Sequence, residues 1–172
     1  MNECLKVLQT RRSVKSYNDK PVPKEYIDEI LKAGVNAPTG KNIQSPVMVL
    51  VTDPEMISYI SKLNARVINA EHDVFYGAKT LIIVFADSSM FTYVEDGSLV
   101  MGNLLNAAES LGVGACWIHR AREVFKSPEG KKLMEKWGLN DRYIGIGNCV
   151  LGYTDNPPAP KEHKADYVIY DK

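Results

Sequence analysis

The longest helical pattern in the chain, residues 93–111, limits the possible folds more than any other feature. Val100, Leu104, Ala107, Ala108 and Leu111 mark one face, and Met101 and Leu105 widen it. A helix apolar over so much of its circumference runs through a core and needs other elements packed round it. Four short apolar runs are available as strands: Val47–Val51, Leu81–Ala86, Ala115–Ile118 and Tyr143–Tyr153. Gly112 and Gly114 stop the long helix, and Gly145 and Gly147 point to a bulge or a close backbone approach in the fourth strand.

Further helices surround these runs. Residues 3–11 place Leu5 and Leu8 on one face. Pro23 opens a second helix, with the stripe Tyr26, Ile27, Ile30, Leu31 and Val35, which ends before Pro38. Asp53-Pro54 opens a third, through about Asn69, and residues 121–137 are helical with a break at Ser127-Pro128. A Pro-rich loop at 157–160 leads to a last strand candidate, Tyr167–Tyr170. A lone terminal strand gains little at an open edge, so this one is expected to pair with a partner's sheet. Strands and helices mingle without strict alternation, which predicts an α+β fold with a mixed sheet, in a dimer.

The 172 residues suit one domain, 1–172. Lys plus Arg and Asp plus Glu number 21 each, so no global basic field exists for nucleic acid and no such partner is expected. The three cysteines, Cys4, Cys116 and Cys149, are far apart, and the last two lie in apolar runs that predict buried free thiols. No CxxC pair or His-x-x-x-His spacing suggests a metal. No apolar run reaches a membrane-spanning length of about 18 residues, and the opening MNECLKVLQT lacks the apolar core of a secretory signal. No membrane partner is expected, and the cytoplasm is the expected location.

Against this neutral background Arg11-Arg12-Ser13-Val14-Lys15-Ser16-Tyr17 crowds three cations and two hydroxyls into seven residues. Guanidinium groups match phosphate oxygens bidentately, with Ser13 as a further donor. Glycine-based phosphate loops fail: Gly40-Lys41 has Gly34 one residue too far upstream and Asn42 where a hydroxyl is required, and Gly112-Val113-Gly114 has Trp117 at the third glycine position. His72, His119 and His163 lack the partners of a nucleophilic triad. A second polar segment, Ala37-Pro38-Thr39-Gly40-Lys41-Asn42-Ile43-Gln44, carries two amide side chains, each a donor and an acceptor, which suit the edge of a heterocycle such as a pyrimidine-dione. A third, Pro160-Lys161-Glu162-His163-Lys164, returns cations late in the chain. Alone, a basic turn is ordinarily a solvated face, and the second segment is ordinarily a loop.

Taken together and in order, RRSVKSY and APTGKNIQSPVMVLVTD resemble the opening of the nitroreductase-like flavoproteins, a resemblance continued at Tyr76-Gly77-Ala78, Leu111–Ile118 and Leu151-Gly152-Tyr153 over essentially the whole chain. It implies a three-layer fold, a central, mostly antiparallel mixed sheet flanked by helices, and a homodimer that exchanges its C-terminal strand and holds FMN at the subunit interface. By the same resemblance Arg11, Arg12 and Ser13 bind the phosphate, and Lys15 lies near the pyrimidine end of the ring, where a cation favours the anionic reduced flavin. Pro38, Thr39, Asn42 and Gln44 reach the flavin from the other subunit. Cys116, Trp117, Ile118 and His119 run along the ring, and Lys161, with His163 or Lys164, closes on the phosphate. His119 and Arg120 stand where many relatives have a small residue, so they are expected in the substrate pocket. Loops 68–79 and 88–96 are expected near its entrance. Asn64 and Asn69 are left open as flavin contacts.

The implied activity is hydride transfer from NADH or NADPH through flavin N5 to an electron-poor acceptor such as a nitroaromatic or a quinone, in ping-pong order. No side chain serves as nucleophile, because the flavin carries the chemistry. A flavin-binding dimer without turnover, serving as sensor or carrier, and a flavin-fragmenting or reductive dehalogenating relative are the alternatives. Three departures stand out: Ser45-Pro46-Val47 replaces the family's Pro-Trp, His119-Arg120 replaces a small residue, and His163-Lys164 replaces a late arginine.

Overall fold

The computed structural model describes residues 2–171. In chain order these form α1 (Glu3–Thr10), α2 (Lys24–Val35), a 3-10 turn (Gly40–Asn42), β1 (Pro46–Val51), α3 (Pro54–Val67), β2 (Thr80–Asp87), α4 (Tyr93–Ser110), β3 (Gly114–Ile118), α5 (Ala121–Lys126), α6 (Pro128–Lys136) and β4 (Tyr143–Gly152).

The strands make one sheet in the order β1-β2-β4-β3, antiparallel at every step. Among the described residues the parallel pairing is an isolated bridge between Ser13 and Ala115, so the mixed character expected of the sheet resides in that bridge. Side chains alternate across the pleat. Leu81, Ile83 and Phe85 join a core with α3, α5 and α6 on one side, whereas Ile82, Val84 and Ala86 join a core with α2 and α4 on the other. The result is three layers.

Local chemistry sets the element ends. Asn2 caps α1 and Asp53 caps α3, each accepting from the amide three residues on. Ser127 ends α5 and caps α6 through Gly130 N at 3.1 Å, which explains the expected break. After α4, Gly112 takes φ 68°, and the amides of Gly112 and Val113 return to Glu109 and Ala108, a Schellman stop. The register of β2 against β4 slips at Val84/Phe85, where Gly147 and Gly145 are partners and Ile146 is the extra residue. This is the bulge its glycines foretell.

The long helix takes the central place its pattern requires. Met101, Leu104 and Ala108 are fully buried, and α4 packs against all four strands as well as α1 and α2. Other apolar positions are not covered within the chain. Leu5 and Leu8 of α1, Val35 of α2 and Leu99 of α4 are all about half exposed or more. Residues 167–170, expected as a strand, form none: Tyr167, Val168, Ile169 and Tyr170 are all exposed and lie along an extended tail. Within one chain the extended tail reaches no strand edge, and the pairing expected for it is with a second copy's sheet. No helix among the described residues is long and apolar enough to cross a membrane.

Candidate functional site

The RRSVKSY segment leaves α1 and is tied to the free edge of β3. Val14 N–H donates to Ala115 C=O at 3.0 Å, and the buried Val14 side chain lies where a Cβ on Gly114 would stand. Further on, Tyr17 N–H donates to Tyr76 C=O and Asn18 N–H to Tyr153 C=O, while the Tyr17 ring covers Gly152 and its hydroxyl reaches Val150 C=O at 3.4 Å. The segment is therefore stitched to β3, β4 and the 73–79 loop, and the side chains between the stitches have fixed positions.

Two of those side chains have unmet demands. Arg11 Nη1 and Arg12 Nε are buried donors with no partner. Arg12 Nη1 is otherwise engaged, donating to Arg11 C=O at 2.7 Å and Gln9 C=O at 3.2 Å at the end of α1. A guanidinium always carries its charge, and a buried charged donor without a partner is costly. Ser13 and Lys15 are exposed beside them. Burial pushes the Cys116 thiol up, against the opposing pull of the Ser13 hydroxyl, Lys15 and Arg11, so these groups converge on the start of β3. Cys149, wholly buried, is pushed up to about 12, so both thiols are inert and free as expected.

Residues 38–44 form a different kind of structure. Lys41, Asn42 and Gln44 all have positive φ, at 52°, 55° and 56°. Each such L-residue costs roughly 1–2 kcal/mol. The turn is held by hydrogen bonds from Gly40 N–H to Asp96 Oδ1 at 2.9 Å and from Ser45 Oγ to Asp96 Oδ2 at 2.8 Å, with Thr92 Oγ1 also donating to Oδ2 at 3.2 Å. Gln44 N–H donates to Thr39 Oγ1 at 3.0 Å. Pro38, Asn42 and Gln44 remain exposed, so the amides are presented outward. The sequence reading did not single out Asp96 and Ser45 as partners. One signal was present: Asp96 stands four residues before Val100 and eight before Leu104, on the buried row of α4, where a lone acid needs donors.

These two segments lie at opposite edges of the sheet, one beside β3 and the other leading into β1. Three inter-strand steps put the edges about 14 Å apart. Within one chain the two segments are thus at opposite edges of the sheet. Lys161, His163 and Lys164 are exposed on the tail, and within the chain they make no hydrogen bond or ion pair among the described residues.

Along β3, Trp117 lies over Gly147, where any Cβ would strike the indole, and Trp117 Nε1 is a second kind of buried donor without a partner. Ile118 packs into the α3–α5 core, and His119 and Arg120 are exposed at the strand's end. Arg120 has φ 78° and its Nη1 binds Glu123 Oε1 at 2.9 Å, so the guanidinium is held at the start of α5. Burial would raise the Glu123 carboxyl, but the hydrogen bond from Arg120, a backbone hydrogen bond and the nearby charges of Arg120 and His119 together hold it below the ordinary range. Asn64, buried, accepts from Asn148 Nδ2 at 3.1 Å inside the core, which accounts for it structurally, and Asn69 takes φ 53° after α3. Within the 68–79 loop Asp73 accepts from Ser61 Oγ and from the amides of Phe75 and Gly77.

An α+β sandwich with a cationic strap along one sheet edge and an amide-bearing turn at the other is the framework of a nitroreductase-type protein. The chain belongs to the nitroreductase family, whose model matches residues 8–72 and 66–153. It is 32% identical, over the whole chain and 94% of the relative, to an Archaeoglobus fulgidus protein provisionally named NADH dehydrogenase/NAD(P)H nitroreductase. It is 28% identical, over the whole chain and 77% of the relative, to an FMN reductase [NAD(P)H] of Bacillus subtilis. Its fold superposes on a nitroreductase with bound FMN from Bacteroides fragilis with a TM-score of 0.91 over 100% of both chains, at 24% identity.

Proposed function

We propose that this chain is an NAD(P)H-dependent oxidoreductase that holds FMN between two copies of itself and reduces electron-poor small molecules, nitroaromatics and quinones among them. The carrying observation is the pair of buried, unpartnered guanidinium donors, Arg11 Nη1 and Arg12 Nε, at a strap pinned to β3. A phosphate monoester supplies the dianionic acceptor they lack. The names of the Bacillus subtilis and Archaeoglobus fulgidus relatives support the same cofactor and donor.

In this reading Arg11, Arg12 and Ser13 hold the phosphate, with Lys161 and His163 or Lys164 added from the tail. Lys15 places a positive charge by the pyrimidine end of the ring. Thr39, Asn42 and Gln44 come from the second subunit, since within one chain they lead into the sheet edge opposite the strap. Backbone and side chains from Cys116 to His119 border the ring, and His119 and Arg120 shape the space for the acceptor. FMN, when bound, supplies the two-electron chemistry between a nicotinamide and the acceptor. Donor and acceptor occupy the same space in turn, which gives a ping-pong order.

The dimer has a physical motive in the uncovered apolar groups. Leu5, Leu8, Ile43, Leu50 and Leu99 are each exposed by 41–55%. The tail segment Tyr167–Tyr170, which gains nothing in an isolated chain, gains a sheet edge from a partner. Sedimentation of the flavin-loaded protein tests this: a dimer near twice 19.2 kDa is expected, and a monomer that retains flavin overturns the shared site.

A further inference from the structure

Asp96 is only 2% exposed, and its carboxyl group has three donors: Gly40 N–H, Ser45 Oγ–H and Thr92 Oγ1–H. No cation pairs with it among the described residues. Two of the donors, Gly40 and Ser45, bracket residues 41–44, which include the three left-handed residues Lys41, Asn42 and Gln44. The anchor therefore grips both ends of a strained turn and leaves its amide side chains outside. A Cβ at Gly40 would collide with Thr92 Oγ1, so the turn sits on the first turn of α4 with no slack. Ser45 is also the residue at which this sequence departs from the family's Gln-Pro-Trp pattern.

From this geometry we infer that Asp96 is a positioning residue for the flavin site of the other subunit: through Gly40 and Ser45 it sets Asn42 and Gln44 in the orientation that meets the flavin ring across the dimer. The inference rests on the function proposed above. Asp96 never touches the flavin. Its carboxylate works by making the left-handed turn the lowest-energy shape before the cofactor arrives, so that ordering the turn is not charged against binding.

The test is complementation between subunits. Asp96→Ala homodimers are expected to bind FMN about tenfold more weakly than wild type, as for the loss of a charge-assisted anchor. Asp96→Asn is expected to recover most of that loss, because an amide can accept from Gly40 N–H and donate to Ser45 Oγ. Ser45→Ala keeps the carboxylate and two donors and should fall between the two, which serves if Asp96→Ala folds poorly. Arg11→Ala homodimers also lose FMN. When Asp96→Ala (or Ser45→Ala) and Arg11→Ala chains are co-expressed with different tags and the mixed dimer is purified, one site carries both defects and the other carries neither. About one tightly held FMN per mixed dimer, with the wild-type visible circular dichroism band, is the expected result. A mixed dimer with no tight site, or Asp96→Ala and Ser45→Ala homodimers that bind FMN as wild type does, overturns the role of Asp96. Wild-type protein that binds no FMN fails one stage earlier and overturns the functional reading itself.

Discussion

Val14 and Ala115 are joined by a 3.0 Å hydrogen bond that pins the basic strap to the edge of β3. That single attachment places Arg11 and Arg12 on one side and Lys15 on the other, over the start of a strand whose far end carries His119 and Arg120. A cationic stretch that reads in the sequence as a phosphate-binding candidate is fixed along the sheet edge because the backbone beside it has a partner.

Arg11→Ala removes a buried donor that has no partner inside the protein. The apoprotein should therefore lose little, within about 0.5 kcal/mol, in urea unfolding. FMN affinity, measured by quenching of flavin fluorescence, should fall by at least about tenfold, since a charged hydrogen bond to phosphate is lost. Equal flavin retention in mutant and wild type would remove this residue from the site.

Gly147→Ala sets a Cβ against the Trp117 indole, with Trp117 Cδ1 only 3.0 Å away and the Nε1 and Cε2 atoms nearer still. The indole must shift off β4. Overpacking of this kind costs about 1–3 kcal/mol, and the tryptophan emission should move with it. Unfolding at the wild-type midpoint would mean that the indole has room to yield.

Asn148 and Asn64 test how the core treats polar groups. Asn148→Leu leaves Asn64 Oδ1 without its donor, at a cost of about 1–3 kcal/mol. Asn64→Leu/Asn148→Leu together should recover part of that loss in a double-mutant cycle. Additive losses would show that the pair carries no coupling.

Asp73 predicts a contribution to the acid limb of stability. Burial would raise its carboxyl, but Ser61 Oγ, the amides of Phe75 and Gly77, and nearby His72 hold it below the ordinary 3.8. A group lowered in the fold stabilises above its unfolded value, and that stability is lost as pH falls through the folded value. Asp73→Asn should therefore flatten the decline in melting temperature below about pH 4 and change little of its slope at pH 6–8. An unchanged acid limb would contradict this.

The thiols should separate cleanly by reactivity. Cys4 is exposed, whereas Cys116 and Cys149 are buried with raised values. Ellman's reagent at pH 8 should label Cys4 alone in the folded protein and the other two only after denaturation. Fast labelling of Cys116 would show that the start of β3 opens.

Periodicity made the layers legible. The apolar row of α4, the four strands and the break at Ser127-Pro128 appear where the pattern places them, because burial dictates spacing directly. The stripe of α2 predicts its helix, but Val35 at its end is exposed, since a spacing rule cannot see that α2 ends at the surface there. The segment 167–170 has β-forming residues but pairs with nothing in its own chain, because the partner expected for it is a second copy. The strap and the amide turn were legible as motifs, but their placement at opposite sheet edges follows from strand order, which spacing does not encode. Asp96 was hidden for the converse reason: its importance lies in three donors from Gly40, Ser45 and Thr92, two of them more than 50 residues away.

The central claim is that the strap holds a flavin that takes electrons from a nicotinamide. The direct measurement is the visible spectrum of the purified protein after incubation with FMN and removal of the excess, followed by anaerobic titration with NADH and then NADPH. Retained flavin absorbance that bleaches with one of these donors, and returns when a quinone or nitroaromatic is added, is the expected result. Protein that stays colourless, or a retained flavin that neither donor bleaches, would contradict the account.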